Sequence, residues 1–441
     1  MGSKKDLIII IISALCVFSF PRAEEKEGPK IELVPVYEKT FDDTIVDVIF
    51  DTATVSIEEA KKMGWKENAF SDREKTEGVA KINYPKVIFI GNSHPLDPKV
   101  TKVKFYSRFG NVKTIISIDN RENVYKSPKG EYILIGKWPD DSNSKKQGGK
   151  LYDANGDLLR EYKDYFPIAV SDDGHVIAGE LSYETEAPGD FIFYDPLGTE
   201  VGRVHNPLKD EASGWCWAIF TDDGKFALMG YTETTSRTAI IYTTNRGKII
   251  WTHLIDYASF FPYASIVCTD YIGGAGYKYS AMDAKFIGYC IYLINRKNGK
   301  LKWLTEIEKG SNFDFGIGRA REKLYISSTF GGIWCIETNN GKILWQHKES
   351  WFSEKIKGPE LDKTPSFYEL RIIDDTLYII RKNGETWRSS TLFILEGEKG
   401  EILNKIEYSH EKIAFAKTEE MIGLINLTKK KIVILRKGAL K

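Results

Sequence analysis

Apolar and polar residues alternate in short runs along most of the chain, and the runs come in pairs separated by a glycine turn. "FYSRFGNVKTII", "LYDANGDLLREY" and "FYDPLGTEVGRV" each hold an apolar or aromatic run, a polar turn and a second run. Such runs between turn residues predict β-hairpins. "TNRGKIIW", "KNGKLKW", "TNNGKILW" and "FILEGEKGEIL" repeat the same design further on. The seven turn glycines are Gly110, Gly156, Gly198, Gly247, Gly299, Gly341 and Gly400, spaced 42 to 59 residues apart. Glycine suits these places because tight hairpins demand positive φ. Asp153 and Asp195 stand just before their glycines and read as turn formers, with carboxylates that bond the turn backbone.

A second hairpin precedes most of these turns, as in "SPKGEYILIG", "SDDGHVIAGE" and "TDDGKFALMG". Each unit therefore reads strand, turn, strand, variable loop, strand, glycine turn, strand. Four antiparallel strands at a period of roughly 40–50 residues fit one blade of a β-propeller. Seven turns predict an all-β, seven-bladed ring over residues 99–437. The last unit, "KIAFAKTEEMIGLINLTKKKIVILRKG", supplies three strands and lacks a fourth. N-terminal strands are expected to complete it, since an unjoined ring would leave an exposed edge. If "KVIFIG" at 86–91 belongs to a blade of its own, the count becomes eight. Residues 24–98 depart from the repeat and read as a small N-terminal α/β extension. It holds the strand "TIVDVIF" and one short helix in "SIEEAKKMGWKEN", where Ser56 and Glu59 have the spacing of a capping box.

Trp251, Trp303 and Trp345 each follow a turn glycine by four residues. A bulky ring at one fixed offset on the last strand is expected to wedge between blades. Gly247, Gly299 and Gly341 with these tryptophans form the structural repeat. On these residues, across roughly 235–350, the chain resembles the pyrroloquinoline-quinone-type (PQQ-type) propeller repeat. The "SDDG" and "TDDG" turns are similar to those of WD40-type propellers. Elsewhere Arg160, Gly202 and Asn404 hold the tryptophan offset. The resemblance implies a propeller. Its PQQ branch includes both quinoprotein dehydrogenases and non-catalytic outer-membrane assembly propellers. The dehydrogenases carry adjacent cysteines, which this chain lacks, so no cofactor is expected.

Composition narrows the classes. The 441 residues carry 62 basic and 62 acidic side chains, which gives no electrostatic reason to expect nucleic acid. Lys4 and Lys5 precede an apolar run from Leu7 to Phe20, and a small residue, Ala23, follows. Fourteen residues make about 21 Å of helix, short of the roughly 30 Å hydrocarbon core. Residues 1–23 therefore read as a secretory signal peptide rather than an anchor. The protein is expected in the periplasm, the cell envelope or outside the cell, with no membrane span after cleavage. Cys216, Cys268, Cys290 and Cys335 lie in apolar stretches and read as buried small hydrophobes, although export permits a disulfide.

No catalytic constellation emerges. The six histidines, at 94, 175, 205, 253, 347 and 410, include no HExxH and no i, i+4 pair. "DANGD" places its glycine fourth, whereas a calcium loop wants it sixth. "GIGRAR" lacks the third glycine of a dinucleotide fingerprint, and "GNSHP" lacks the second glycine of a nucleophile elbow. Metal and catalytic residues are accordingly expected to be none. The long irregular loops, at 137–149, 181–190, 206–214, 269–284 and 349–366, should share one face of the ring. Candidate contacts on that face are Trp138, Asp140, Tyr183, Glu184, Tyr271, Tyr277, Tyr279, Trp351 and Phe352. Aromatic and acidic residues on loops suit a protein, peptide or glycan. The expected function is an exported, non-catalytic binding or assembly scaffold. The alternative is an envelope enzyme on the same fold, a quinoprotein-type oxidoreductase or a polysaccharide-cleaving enzyme.

Overall fold

The computed structural model describes residues 31–92, 99–137, 148–163, 165–181, 188–208, 214–233, 237–256, 258–279, 286–307, 311–317, 322–329, 332–347, 367–383, 389–416 and 421–437. Their strands form eight antiparallel sheets of four strands each. Seven sheets run in simple chain order, so every blade is a meander. Blade one comprises Ile45–Ser56, Val79–Asn92, Lys99–Tyr106 and Val112–Ser117. Blades two to seven follow over 122–163, 166–204, 214–256, 258–307, 311–347 and 367–408. Blade eight takes three strands from 413–437, and Leu33–Thr40 adds the fourth on its outside. Leu33 pairs with Lys437 and Thr40 with Lys431 across this closure.

The count is thus eight, the larger of the two expectations. Residues 24–98 also need correction, because their strands belong to the ring. The segment "KVIFIG" lies in the second strand of blade one. Among the described residues of this stretch, 57–78 leave the blade pattern and carry α1 (Ile57–Lys62) and α2 (Asp72–Glu77). The insertion splits the first hairpin of blade one, which hid the repeat. The Ser56–Glu59 capping box is formed, and Ser71 with Glu74 makes a second one at α2.

Among the described residues no single core exists. Eight clusters of buried apolar side chains occur, one in each gap between neighbouring sheets. Central strands are buried on both faces; Ser390–Leu395, for example, is enclosed along its whole length. A four-stranded sheet alone would leave these faces in water, so stacking around a ring is the only way to cover all of them.

The glycine turns show how the stacking is keyed. All seven sit at positive φ, between 69° and 89°. A Cβ on Gly299 would lie 2.5 Å from the Trp251 ring, and one on Gly341 would lie 2.7 Å from Trp303. Each tryptophan therefore docks on the turn of the following blade. Their indole N–H groups donate to turn carbonyls: Trp251 to Arg296 at 2.7 Å, Trp303 to Thr338 at 2.9 Å and Trp345 to Gly397 at 3.1 Å. Other residues take this place where tryptophan is missing. Arg160 lies against Gly198, and Gly202 lets its strand close on the carbonyl of Arg246. Asn404 donates to Ile31 at 2.7 Å, just ahead of the closing strand.

The closing strand has a protected outer edge. Lys66 N–H donates to the Val36 carbonyl at 2.8 Å, and Trp65 bridges to Tyr37. The insertion thereby covers backbone groups that would otherwise face solvent.

Candidate binding surfaces

Six of the nine candidate contacts lie outside the described residues: Trp138, Asp140, Tyr183, Glu184, Trp351 and Phe352. Tyr277 and Tyr279 fall on the strand Tyr271–Tyr279, and their side chains also lie outside the description. Tyr271 opens that strand, so most of the expected loop 269–284 is strand. Glycines in "YIGGAGYKY" suggested a loop, but they serve packing, and a Cβ on Gly274 would collide with the Tyr292 ring. Tyr271 pairs with Asn295 beside the Gly299 turn, at the end of the sheet that carries the glycine turn. Lys302 Nζ lies 4.5 Å from its ring centroid and donates to its hydroxyl at 3.3 Å.

The inner strands of blades seven, eight, one and two border a cavity of about 400 Å³. Asp47 and Lys126 form an ion pair there, joining blade one to blade two. Asp47 also accepts from the Val48 N–H at 2.8 Å. Glu369 accepts from the Phe415 N–H at 2.7 Å, joining blade seven to blade eight. Arg371 lies two residues along the same strand and also lines the cavity. These carboxylates stitch neighbouring inner strands together. No nucleophile stands beside a base among these groups.

A serine, an aspartate and a histidine do meet in the "SDDGH" turn of blade three. Ser171 Oγ donates to Asp173, and His175 Nδ1 lies 2.9 Å from the same carboxylate oxygen. The carboxylate is therefore central, whereas nucleophilic catalysis needs the imidazole between hydroxyl and acid. Ser171 Oγ further accepts from the His175 N–H at 2.9 Å. Thr221 and Asp223 repeat this clamp one blade on, at 2.5 Å. Both hold their Asp-Gly turns shut.

Cys290 and Cys335 are buried, and burial pushes both thiols up to about 12. Cys268 is half-buried, and none of these three forms a disulfide. The Cys216 side chain lies outside the description. The residues present are thus packed hydrophobes, as their apolar sequence context suggested.

A surface feature that the sequence reading missed lies on the rim. The outer strand of blade four, Ile249–Asp256, ends its sheet and has no further strand beside it among the described residues. Ile249, Ile250 and Leu254 on it are 49%, 41% and 51% exposed. Leu301 and Leu344 extend the apolar strip onto blades five and six. Exposed cations border it: Arg246, Lys248, Lys297, Lys300 and Lys342, none with a carboxylate partner among the described residues. The turns of blades two, three and seven are instead rich in acid, with Asp153, Asp157, Asp195, Glu396 and Glu398. A net charge of zero conceals this division. The signal was present in "TNRGKII" and "RKNGKLK", but strand alternation alone does not say which outward face stays uncovered.

The architecture defines the class: an eight-bladed, all-β propeller with PQQ-like and WD40-like repeats. No family model matches the chain, and no curated protein matches it. Solved structures do. BamB from Moraxella catarrhalis matches with a TM-score of 0.53 at 12% identity, covering 92% of this chain and 100% of that one. The C-terminal WD40 domain of Sif2 matches with a TM-score of 0.51 at 10% identity, covering 93% of this chain and 100% of that one. At these identities the likeness is one of fold. Among the described residues no helix is long and apolar enough to cross a membrane.

Proposed function

We propose that this propeller is an exported, non-catalytic scaffold that binds a polypeptide partner. The observation that carries the reading is the open outer strand Ile249–Asp256, with its exposed isoleucines and leucine and the neighbouring Arg246 and Lys248, which have no carboxylate partner among the described residues. An edge strand points every second N–H and C=O outward, and a long apolar edge is a template for a strand from another chain. The preferred partner segment is extended, apolar at alternate positions and acidic near Arg246 and Lys248. The lysine-bearing N-terminal segment followed by an apolar run supports export. The long-loop face, with Trp138, Asp140, Tyr183, Glu184, Tyr277, Tyr279, Trp351 and Phe352, is proposed as a second contact region. Asp47, Lys126 and Glu369 of the inner cavity and the side chains of the Asp-Gly turns are already bound within the fold, which favours binding over turnover.

Site-specific photocrosslinking tests the rim. A crosslinker at position 254 in the native host should give one discrete adduct, whose partner peptide is acidic and extended. A crosslinker at position 115, on the outer strand of blade one, should not give it. Leu254→Asp should abolish the adduct made from position 250 while leaving the circular dichroism spectrum unchanged. Equal adducts from 254 and 115, or none, would remove the basis for the reading.

A further inference from the structure

A second cavity, of about 310 Å³, lies at the seam where the ring closes, and the rim reading makes no use of it. One wall is the closing strand of blade eight, with Lys39 and Thr40; the other is the outer turn of blade one, with Ser107 and Arg108. Lys62 of α1 lines a third side.

The charges here do not balance internally. Lys39 occupies the position that tryptophan takes elsewhere, against the turn glycine of the next blade. A Cβ on Gly110 would lie 2.6 Å from its Nζ. Its ammonium sits 5.5 Å from the Phe41 ring centroid and 6.0 Å from that of Tyr106. Among the described residues no carboxylate pairs with it, and burial holds its pKa below the ordinary lysine value. The carboxylate that does line the cavity, Glu38, is already held by Lys431 at 2.8 Å and Lys66 at 3.2 Å. Arg108 lies 4.6 Å over the Phe109 ring and has no acidic partner among the described residues. Lys62 has only the exposed Glu58, at 3.6 Å. Ser107 Oγ accepts from the Asn111 N–H at 3.2 Å, which leaves its hydroxyl hydrogen free to donate into the cavity.

A half-buried cation without a counter-charge is disfavoured. Cationic and hydroxyl donors that face one cavity, whose one lining carboxylate is already paired, are arranged for an anion from outside the chain. We propose that this seam cavity binds a phosphate group, held between Lys39 of the closing strand and Arg108 and Ser107 of blade one. The group is a free phosphate ion or the phosphate of a lipid headgroup. Bound there, it ties the last blade to the first, so occupancy stabilises the closed ring.

The test uses the mature full-length protein and inorganic phosphate at constant ionic strength. Calorimetric titration should show saturable binding, and the thermal midpoint should rise with the same concentration dependence. Lys39→Met should weaken binding at least tenfold. Arg108→Ala, an exposed change that leaves the fold intact, should weaken it several-fold. Phosphate also stabilises proteins generally by exclusion from their surface. A non-saturating rise that is equal in wild type and both variants overturns the proposal, as does binding unaffected by either substitution. Flotation with phosphatidylglycerol vesicles separates the two sources. Flotation that inorganic phosphate competes away, and that Arg108→Ala loses, assigns the site to a headgroup. Saturable phosphate binding without flotation assigns it to the free ion.

Discussion

Trp303→Ala probes the contact on which the ring depends. The side chain is 8% exposed, lies in the wedge between blades five and six, and donates to the Thr338 carbonyl. A tryptophan buries on the order of 200 Å². At about 25 cal/mol per Å² that burial is worth about 5 kcal/mol, an upper bound because unfolded chains are partly compact. Truncation keeps the β-carbon, and the lost N–H bond adds about 1 kcal/mol. The expected destabilisation is therefore about 3–5 kcal/mol, in line with large aromatic truncations. Trp303→Phe keeps most of the packing and should lose about 1–2 kcal/mol, because the Thr338 carbonyl loses its donor. Trp345→Ala should cost less than Trp303→Ala, since Trp345 is only half-buried. Urea unfolding, followed by far-ultraviolet circular dichroism and by fluorescence, measures all three. A loss below about 1 kcal/mol for Trp303→Ala, or a larger loss for Trp345→Ala, would refute the docking argument.

Two further expectations concern single side chains. Cys290 and Cys335 should stay unlabelled by a thiol reagent at pH 8 until denaturant is added, while Cys268 labels before either of them in the folded protein; early labelling of either buried thiol, mapped by mass spectrometry, would mean that its wedge is open. His253 is half-buried, and burial holds its imidazole below the ordinary value. The unfolded chain then binds the extra proton first, so stability should fall as pH drops below about 6.5 and show no contribution from this group above it. His253→Gln should flatten part of that decline between pH 7 and 5 in urea titrations; an unchanged pH profile would contradict the assignment.

The repeat turns show why part of the fold is readable along the chain. A glycine at positive φ, an aspartate that clamps its own turn and a serine that caps a helix through a residue three positions on are all local events. Their geometry depends on neighbours within about five residues, so their residue types survive as visible spacing. The docking role of Trp251 was also foreseeable from its fixed offset. Its acceptor, the Arg296 carbonyl, was not, because it lies 45 residues away on the next blade. The candidate contacts show the limit from the other side. Tyr271 sits in a glycine-rich stretch that reads as loop, yet those glycines make room for a neighbouring tyrosine inside a sheet.

From the amino-acid order alone came the strand units, their four-strand grouping, the capped α1 helix and the need for an N-terminal strand to complete the last blade. Alternation and turn chemistry are short-range and leave a direct imprint. Tertiary structure alone chose eight blades over seven, drew the strands Leu33–Thr40, Ile45–Ser56 and Val79–Asn92 into the ring, and left the Ile249–Asp256 edge open while covering the edge of Leu33–Thr40. Those outcomes rest on pairings such as Leu33 with Lys437, between strands from opposite ends of the chain. The same hairpins can stack into rings of either size, so only the fit of side chains in every gap around the circle selects one.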